Sequence, residues 1–170
     1  DFIVDNNQTA SMGPKKITGK LILNNGATLN ITGTIWVSGN IELSNNCHAN
    51  LSPSYGPRSG VIITDSKIVV SNNCAFQGSG DPASFMMVLS DKNAPYEEVI
   101  TVDNNSLGVV YYAGKGRIKF SNNAQAKEAT AYGITLDNGA TITYDSGLSS
   151  MFFSSGPGGG YDIKYWKEVE

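Results

Sequence analysis

The stretch Ile41-Glu-Leu-Ser-Asn-Asn-Cys47 shows the unit from which most of this chain is built. Its pattern is apolar, any residue, apolar, then Ser, Asp or Asn, then Asn followed by Asn or Gly, and finally a small residue. Further copies occur at Leu21–Ala27, Ile68–Cys74, Ile100–Ser106, Ile118–Ala124 and Ile134–Ala140. Repetition of one short unit indicates a repeat architecture, in which each copy belongs to one layer of a stack.

The spacing of the copies predicts a β-solenoid. The steps between their last residues are 20, 27, 32, 18 and 16 residues, so the shorter steps match one coil and the longer ones hold insertions. Apolar residues alternate in short runs rich in Val, Ile, Leu and Thr, which is typical of strands, and no 3.6-residue period is present. An ordinary β-sandwich with Asn-Asn surface turns is the alternative, but it does not require the same corner six times.

The Asn pairs predict the corners of the solenoid. Asn and Gly tolerate the left-handed region of backbone space that a sharp turn requires. In stacked coils each Asn would lie above the last, so the amides are expected to form an inward ladder, and the small residues to fit where the chain turns inward. The predicted corner ladder consists of Asn25, Asn45, Asn46, Asn72, Asn73, Asn104, Asn105, Asn122, Asn123 and Asn138. The predicted small-residue ladder consists of Ala27, Cys47, Cys74, Ser106, Ala124 and Ala140.

The fold class that follows is all-β: a single-stranded, right-handed parallel β-solenoid of about six rungs. Three short strands per coil predict a roughly triangular cross-section. The chain is expected to form one domain, residues 1–170, with a lead-in at 1–16, rungs over 17–147 and a C-terminal cap over 148–170. Within that cap, Tyr161–Val169 is expected to add a strand that closes the last rung.

Two loop insertions are expected to interrupt the rungs, at residues 48–60 and 77–98. Both are rich in Gly, Pro and polar residues. Inside the second, Phe85-Met-Met-Val-Leu89 is apolar at every position, which predicts a strand buried on both sides.

Composition excludes several classes of function. The chain has 12 basic and 15 acidic residues and a net charge of −3, which argues against a nucleic-acid surface. No apolar run is long enough to span a membrane. Charged residues make up only 16 % of the chain, which is typical of an extracellular β-protein, and the abrupt start at Asp1 suggests a processed fragment whose export signal lies upstream.

The chain also resembles a known family. The run Gly33–Ile41, the repeated Ser-Asn-Asn and the ending Phe153-Ser-Ser-Gly-Pro-Gly-Gly-Gly160 with Tyr165-Trp-Lys-Glu168 are similar to the C-terminal solenoid of bacterial pilus-assembly, minor-pilin-like surface proteins. The resemblance implies a non-catalytic extracellular structural or adhesive module associated with a type IV pilus-like appendage. Its implied partners are other pilus or cell-surface proteins and surface glycans. The alternatives are a self-associating filament subunit and a carbohydrate-binding or polysaccharide-degrading β-helix.

The corner carboxylates argue against an enzyme. Asp103 and Asp137 occupy the same corner position but lie two rungs apart, about 10 Å at ~4.8 Å per rung. That separation is too long for a retaining glycosidase pair and at the limit for an inverting pair, so no catalytic residue is predicted.

The sequence predicts no cofactor or metal. Cys47 and Cys74 hold the same position on neighbouring rungs, where either a disulfide or two buried free thiols would be accommodated. His48 is the only histidine, so a zinc site would lack a ligand. The oxygen-rich residues Asp81, Asp91, Asn93, Glu97 and Glu98 leave Ca²⁺ binding open beside a simple solvated loop.

Tyrosines are the remaining candidates for recognition, because aromatic rings on a flat face stack on sugars or fill an interface. Either that role or ordinary strand packing would explain them. Tyr111 and Tyr112 are adjacent in a strand, so one of the two should point outward. The candidates are Tyr55, Tyr96, Tyr111, Tyr112, Tyr132 and Tyr144.

Overall fold

The computed structural model describes residues 1–154 and shows an all-β solenoid of parallel strands. The expected strand over Tyr161–Val169 and most of the expected cap lie outside the described residues. The strands are β1 (Phe2–Val4), β2 (Thr9–Met12), β3 (Lys15–Ile17), β4 (Leu21–Asn24), β5 (Thr28–Ile31), β6 (Ile35–Val37), β7 (Ile41–Ser44), β8 (His48–Leu51), β9 (Gly60–Thr64), β10 (Ile68–Val70), β11 (Ala75–Gln77), β12 (Met86–Ser90), β13 (Ala94–Val102), β14 (Val110–Phe120), β15 (Gln125–Ala126), β16 (Glu128–Leu136) and β17 (Thr141–Ile142). Two 3₁₀ turns, Pro53–Tyr55 and Ser146–Ser150, complete the described secondary structure. Over these residues no helix has the length and apolar character needed to cross a membrane.

Each strand from β1 to β10 pairs with the strand three places further along the chain, which confirms three faces per coil. The first face stacks β1, β4, β7, β10 and β13; the second stacks β2, β5, β8 and β11; the third stacks β3, β6, β9 and β12. In the later coils β14 and β16 are long enough to turn the corner between the third and first faces. β14 pairs with β12 through its start and with β13 through its end, so the two faces merge there.

The first coil begins earlier than the sequence indicated. Residues 1–16, expected to be a lead-in, contain strands β1 to β3, which pair in parallel register with β4 to β6. Asn6 and Asn7 have φ values of 54° and 60°, like the corners of the later coils. Residues 2–8 thus form a further copy of the repeat, which the pattern does not predict because Gln8 stands where every other copy has a small residue.

The two insertions are shorter than expected. His48–Leu51 and Met86–Ser90 are regular rung strands, so the extra residues are confined to 52–59 and 78–85. β12 is also not buried on both sides: Met86 and Val88 are buried, whereas Met87 and Leu89 are only half-buried. The strand alternates between inward and outward positions like the others, but its outward residues Met87 and Leu89 are also apolar, so the sequence shows no alternation.

The core consists of aliphatic columns that run along the solenoid axis. One column stacks Leu21, Ile41, Ile68, Ile100 and Ile118, all fully buried. The columns end at Ile134 and Leu136, which are 40 % and 49 % exposed. The last described coil therefore presents apolar side chains that earlier coils bury.

Candidate functional site

The asparagine ladder is present and lies at the corner after the first face. In its first column Asn45 Nδ2 donates to Asn25 Oδ1 at 3.2 Å, Asn72 to Asn45 at 2.9 Å and Asn104 to Asn72 at 2.9 Å. The step to Asn122 is different, because Asn122 Nδ2 donates to Asp103 Oδ1 at 2.7 Å. The ladder then resumes, with Asn138 donating to Asn122 at 3.2 Å.

A second amide column runs beside the first. Asn73 donates to Asn46 at 3.2 Å, Asn105 to Asn73 at 3.3 Å and Asn123 to Asn105 at 3.3 Å. Gly26 and Gly139 take the equivalent position in the second coil and in the last described coil.

These columns face solvent, so the expectation of an inward ladder was wrong. Every Asn of the predicted ladder has a φ between 47° and 64°. Most side chains reach this left-handed region only with strain, whereas Asn and Gly reach it readily. Backbone geometry thus explains the Asn pairs, and the amide hydrogen bonds follow from the stacking.

The small residues after the corner are packed inside. Ala27, Cys47, Cys74, Ser106 and Ala124 are fully buried. Their side chains also satisfy backbone donors of the neighbouring coil: the Cys47 N–H donates to Cys74 Sγ at 3.1 Å, and the Cys74 N–H donates to Ser106 Oγ at 3.3 Å. A larger side chain would collide with the coil above or below.

Cys47 and Cys74 are free thiols. Burial raises the pKa of the Cys74 thiol to about 12, so the reactive thiolate is scarce at neutral pH. The arrangement is that of packing residues in the column.

The corner carboxylates are structural. Asp103 Oδ1 accepts hydrogen bonds from Ser121 Oγ at 3.0 Å and from Asn122, and Ser121 separates Asp103 from Asp137 by one coil. A similar bond, from Ser44 Oγ to Asn24 Oδ1 at 2.6 Å, joins the same corner position of two earlier coils. The sequence pattern identified this recurrent Ser, Asp or Asn position before each Asn pair, but not the hydrogen bonds that join its members along the stack.

The acidic residues considered for Ca²⁺ are dispersed. Glu97 pairs with Lys92 at 2.8 Å and with Lys67 at 3.2 Å, and Asp91 pairs with Lys115 at 2.9 Å. Residues 1–154 contain no cluster of three or more His, Cys, Asp or Glu side chains that could hold a metal ion.

The tyrosines divide into buried and exposed sets. Tyr55 and Tyr111 are buried, so the prediction that one of Tyr111 and Tyr112 points outward is confirmed. The exposed candidates are Tyr96, Tyr112, Tyr132 and Tyr144. Tyr96 and Tyr132 form an edge-to-face pair with centroids 6.3 Å apart. Tyr144 stands apart from this pair and lines the main cleft.

That cleft, of about 980 Å³, lies on the outer side of the second face. Its floor bears a column of amides, because Asn30 of β5, Asn50 of β8 and Gln77 of β11 are paired in register at outward positions. Gln125 of β15 and the partly exposed Leu107 extend the floor toward the C-terminal end. We call this surface the amide cleft.

One amide oxygen in the cleft lacks a protein partner. Asn50 Oδ1 is buried and takes no hydrogen bond from any described group. The corner amides, at the same spacing, bond to one another. An orphaned acceptor of this kind costs free energy unless water or a ligand supplies a donor.

The wall of the amide cleft is built from the two insertions, which are tied together. Ser79 Oγ donates to Gly56 O at 2.5 Å, and Ser84 Oγ donates to Arg58 O at 2.8 Å. Phe85 N donates to Ser59 Oγ at 3.0 Å. Because the two insertions leave successive coils at the same corner, between the second and third faces, they brace one another and form a continuous rim.

The chain returns to this wall after the last coil. The Ser59 N–H donates to Phe152 O at 2.7 Å, and the Ser154 N–H donates to Ser59 O at 2.9 Å. Leu148 packs with Phe85, Val109 and Val110 in a small second core. Residues 146–154 therefore hold the inserted loops against the solenoid.

An ion pair closes one end of the cleft. Lys127 Nζ donates to Asp145 Oδ2 at 2.5 Å and lies 5.1 Å from the centre of the Phe85 ring. The hydrogen bond from Lys127, followed by one from the Gly147 N–H, holds the pKa of Asp145 below its ordinary value. Asp145 is thus an ionised, engaged group, unsuited to act as a general acid.

The fold and the site together define a parallel β-solenoid with an asparagine-ladder corner and a loop-walled cleft on one face. Comparison with protein-family models, with curated proteins and with solved structures found no match to this chain in any of the three. The residues of the cleft floor were not singled out from the sequence. Their signal was an Asn or Gln at the outward position of three strands that each follow a corner.

Proposed function

We propose that this protein is a non-catalytic adhesive module of a bacterial cell surface, of the kind associated with type IV pilus-like appendages, and that the amide cleft is its recognition surface. The observation that supports this is the mutual bracing of the inserted loops, residues 52–59 and 78–85, around a cleft on a rigid face. Loops held by a rigid scaffold are where recognition sites are usually found.

The absence of catalysis is supported by the state of the carboxylates. Asp145 is engaged by Lys127, and Asp81 Oδ1 accepts the Ala83 N–H at 2.9 Å in its own loop. Asp103 and Asp137 are separated by Ser121. General acid–base hydrolysis would need a free pair of such groups around one bond.

A bead-adhesion assay tests this function. Beads coated with the chain are passed over immobilised bacterial cells, and retained beads are counted. We expect Gln77→Ala with Tyr144→Ala to lower retention at least fivefold, because both side chains line the cleft. Gln8→Ala with Tyr96→Ala, which removes an exposed amide and an exposed tyrosine outside the cleft, should leave retention unchanged. Equal retention of all three proteins, or a loss confined to the second variant, would reject the amide cleft as the adhesive surface.

A filament subunit is the second candidate function, supported by the exposed apolar ends of the core columns at Ile134 and Leu136. The opposite end opposes head-to-tail stacking. Lys15 is exposed there, at a register position that Ile35, Ile62 and later apolar residues occupy in the following coils. A charge at an inward position of an edge strand prevents edge-to-edge growth.

Light scattering separates the two functions. We expect the protein to remain a monomer and Lys15→Ile to associate, because the substitution gives the first coil an apolar edge. Lys16→Ile, on the outward side of the same strand, is the control and should stay monomeric. Long polymers of the unmodified chain would favour the filament subunit over the adhesive module.

A further inference from the structure

The amide cleft has the chemistry of a site for an uncharged polar ligand. Its floor presents side-chain amides, and each amide offers both a donor and an acceptor. The cation that lines it, Lys127, is already paired with Asp145. An anionic ligand would therefore find no free positive partner on the described lining, and Asp81 at the rim would repel it.

Its shape is that of a trough along the solenoid axis. Asn30, Asn50 and Gln77 are successive members of one column, so they span about 10 Å at ~4.8 Å per coil. Two linked sugar rings have a comparable length, and the cleft volume of about 980 Å³ leaves room for a short chain.

Apolar groups lie beside the amides. Leu107 on the floor is 41 % exposed and Tyr144 on the rim is 66 % exposed. Sugars combine hydroxyl groups with apolar C–H faces, so recognition requires polar donors and acceptors together with an aromatic or aliphatic surface. The cleft supplies both.

We infer that the amide cleft binds a neutral oligosaccharide, with the exposed Gln77 amide bonding to sugar hydroxyls and Tyr144 packing on a ring face. This inference rests on the proposed adhesive function and names its ligand class. An anionic glycan is the competing ligand, and the titration below distinguishes it from a neutral one.

The probes are cellohexaose, maltohexaose and the hexamer of N-acetylglucosamine, with hexagalacturonate as the anionic comparison. Each is titrated to 10 mM into the ¹⁵N-labelled full chain, and amide shifts are followed. We expect at least one neutral probe to shift the signals of Asn50 and Gln77, and hexagalacturonate to bind at least tenfold more weakly. Gln77→Ala with Gln125→Ala should weaken the neutral probe at least tenfold, and Gln8→Ala should not.

Failure of this inference is distinguishable from failure of the adhesive function. If bead retention depends on Gln77 and Tyr144 but no neutral probe shifts the cleft signals, the ligand class is wrong and the adhesive surface stands. Stronger binding of hexagalacturonate than of every neutral probe also overturns the inference. If a neutral probe binds in the cleft but the cleft variants leave bead retention unchanged, the sugar site stands and the adhesive role of the cleft is rejected.

Discussion

Substitution of Asn72 tests what the corner asparagines contribute. Asn72 lies in the middle of the first amide column, with φ 56°. Its side chain donates to Asn45 and accepts from Asn104, both at 2.9 Å. Because these groups are exposed, their loss leaves no buried polar atom unpaired, and the backbone conformation becomes the larger concern.

The magnitude follows from two contributions. Each exposed amide hydrogen bond contributes about 0.5 kcal/mol, at the low end of the usual range, so both together contribute about 1 kcal/mol. A side chain such as Leu adds about 1–2 kcal/mol of strain in the left-handed region. Asn72→Leu should therefore lower the free energy of unfolding by about 2–3 kcal/mol.

Asn72→Gly is the matched comparison. Glycine loses the same two hydrogen bonds but adopts φ 56° without strain, so it should cost only about 1.5–2 kcal/mol, including the greater freedom of the unfolded chain. Guanidinium denaturation followed by circular dichroism measures both variants. In thermal melts Asn72→Leu should lower the midpoint by roughly 4–12 °C.

The reasoning fails if Asn72→Gly destabilises the protein as much as Asn72→Leu. That result would assign the cost to the amide ladder and not to the backbone. A melting curve of Asn72→Leu that matches the unmodified protein would reject both contributions.

Two further predictions concern buried groups. Cys47 and Cys74 should resist iodoacetamide in the native protein at pH 8, because both are buried and burial raises the pKa of Cys74 to about 12. In denaturant without reductant, both thiols should be labelled. A protein mass two units low, without labelling, would instead show a disulfide. Tyr111→Phe should raise the free energy of unfolding by up to about 1 kcal/mol, because the buried Tyr111 hydroxyl has no hydrogen-bond partner among the described residues. Tyr112→Phe, at an exposed position in the same strand, is the control and should be neutral; greater destabilisation by Tyr111→Phe would indicate an unrecognised partner for its hydroxyl.

The sequence by itself determined the repeat and therefore the fold. The corners at Asn45-Asn46 and its equivalents can be predicted from the sequence, because a left-handed conformation restricts the residue almost to Asn and Gly. The small residue that follows each corner can be predicted too, since a position such as Cys47 is fully buried and has no space for a larger side chain. The first copy departs from this pattern, because the larger Gln8 follows its corner, so the sequence pattern does not predict it.

The tertiary structure alone decided which residues share a surface. Asn30, Asn50 and Gln77 are 20 and 27 residues apart in the chain, and only the register of β5, β8 and β11 places them in one column. Their outward positions are under no local backbone demand, so their types form no repeat. The loop wall depends in the same way on hydrogen bonds between residues distant in sequence, such as Ser79 with Gly56. Backbone geometry within a few residues determines the corners, so a short stretch of sequence predicts them. The cleft depends on how distant coils stack, and no short stretch of sequence predicts that.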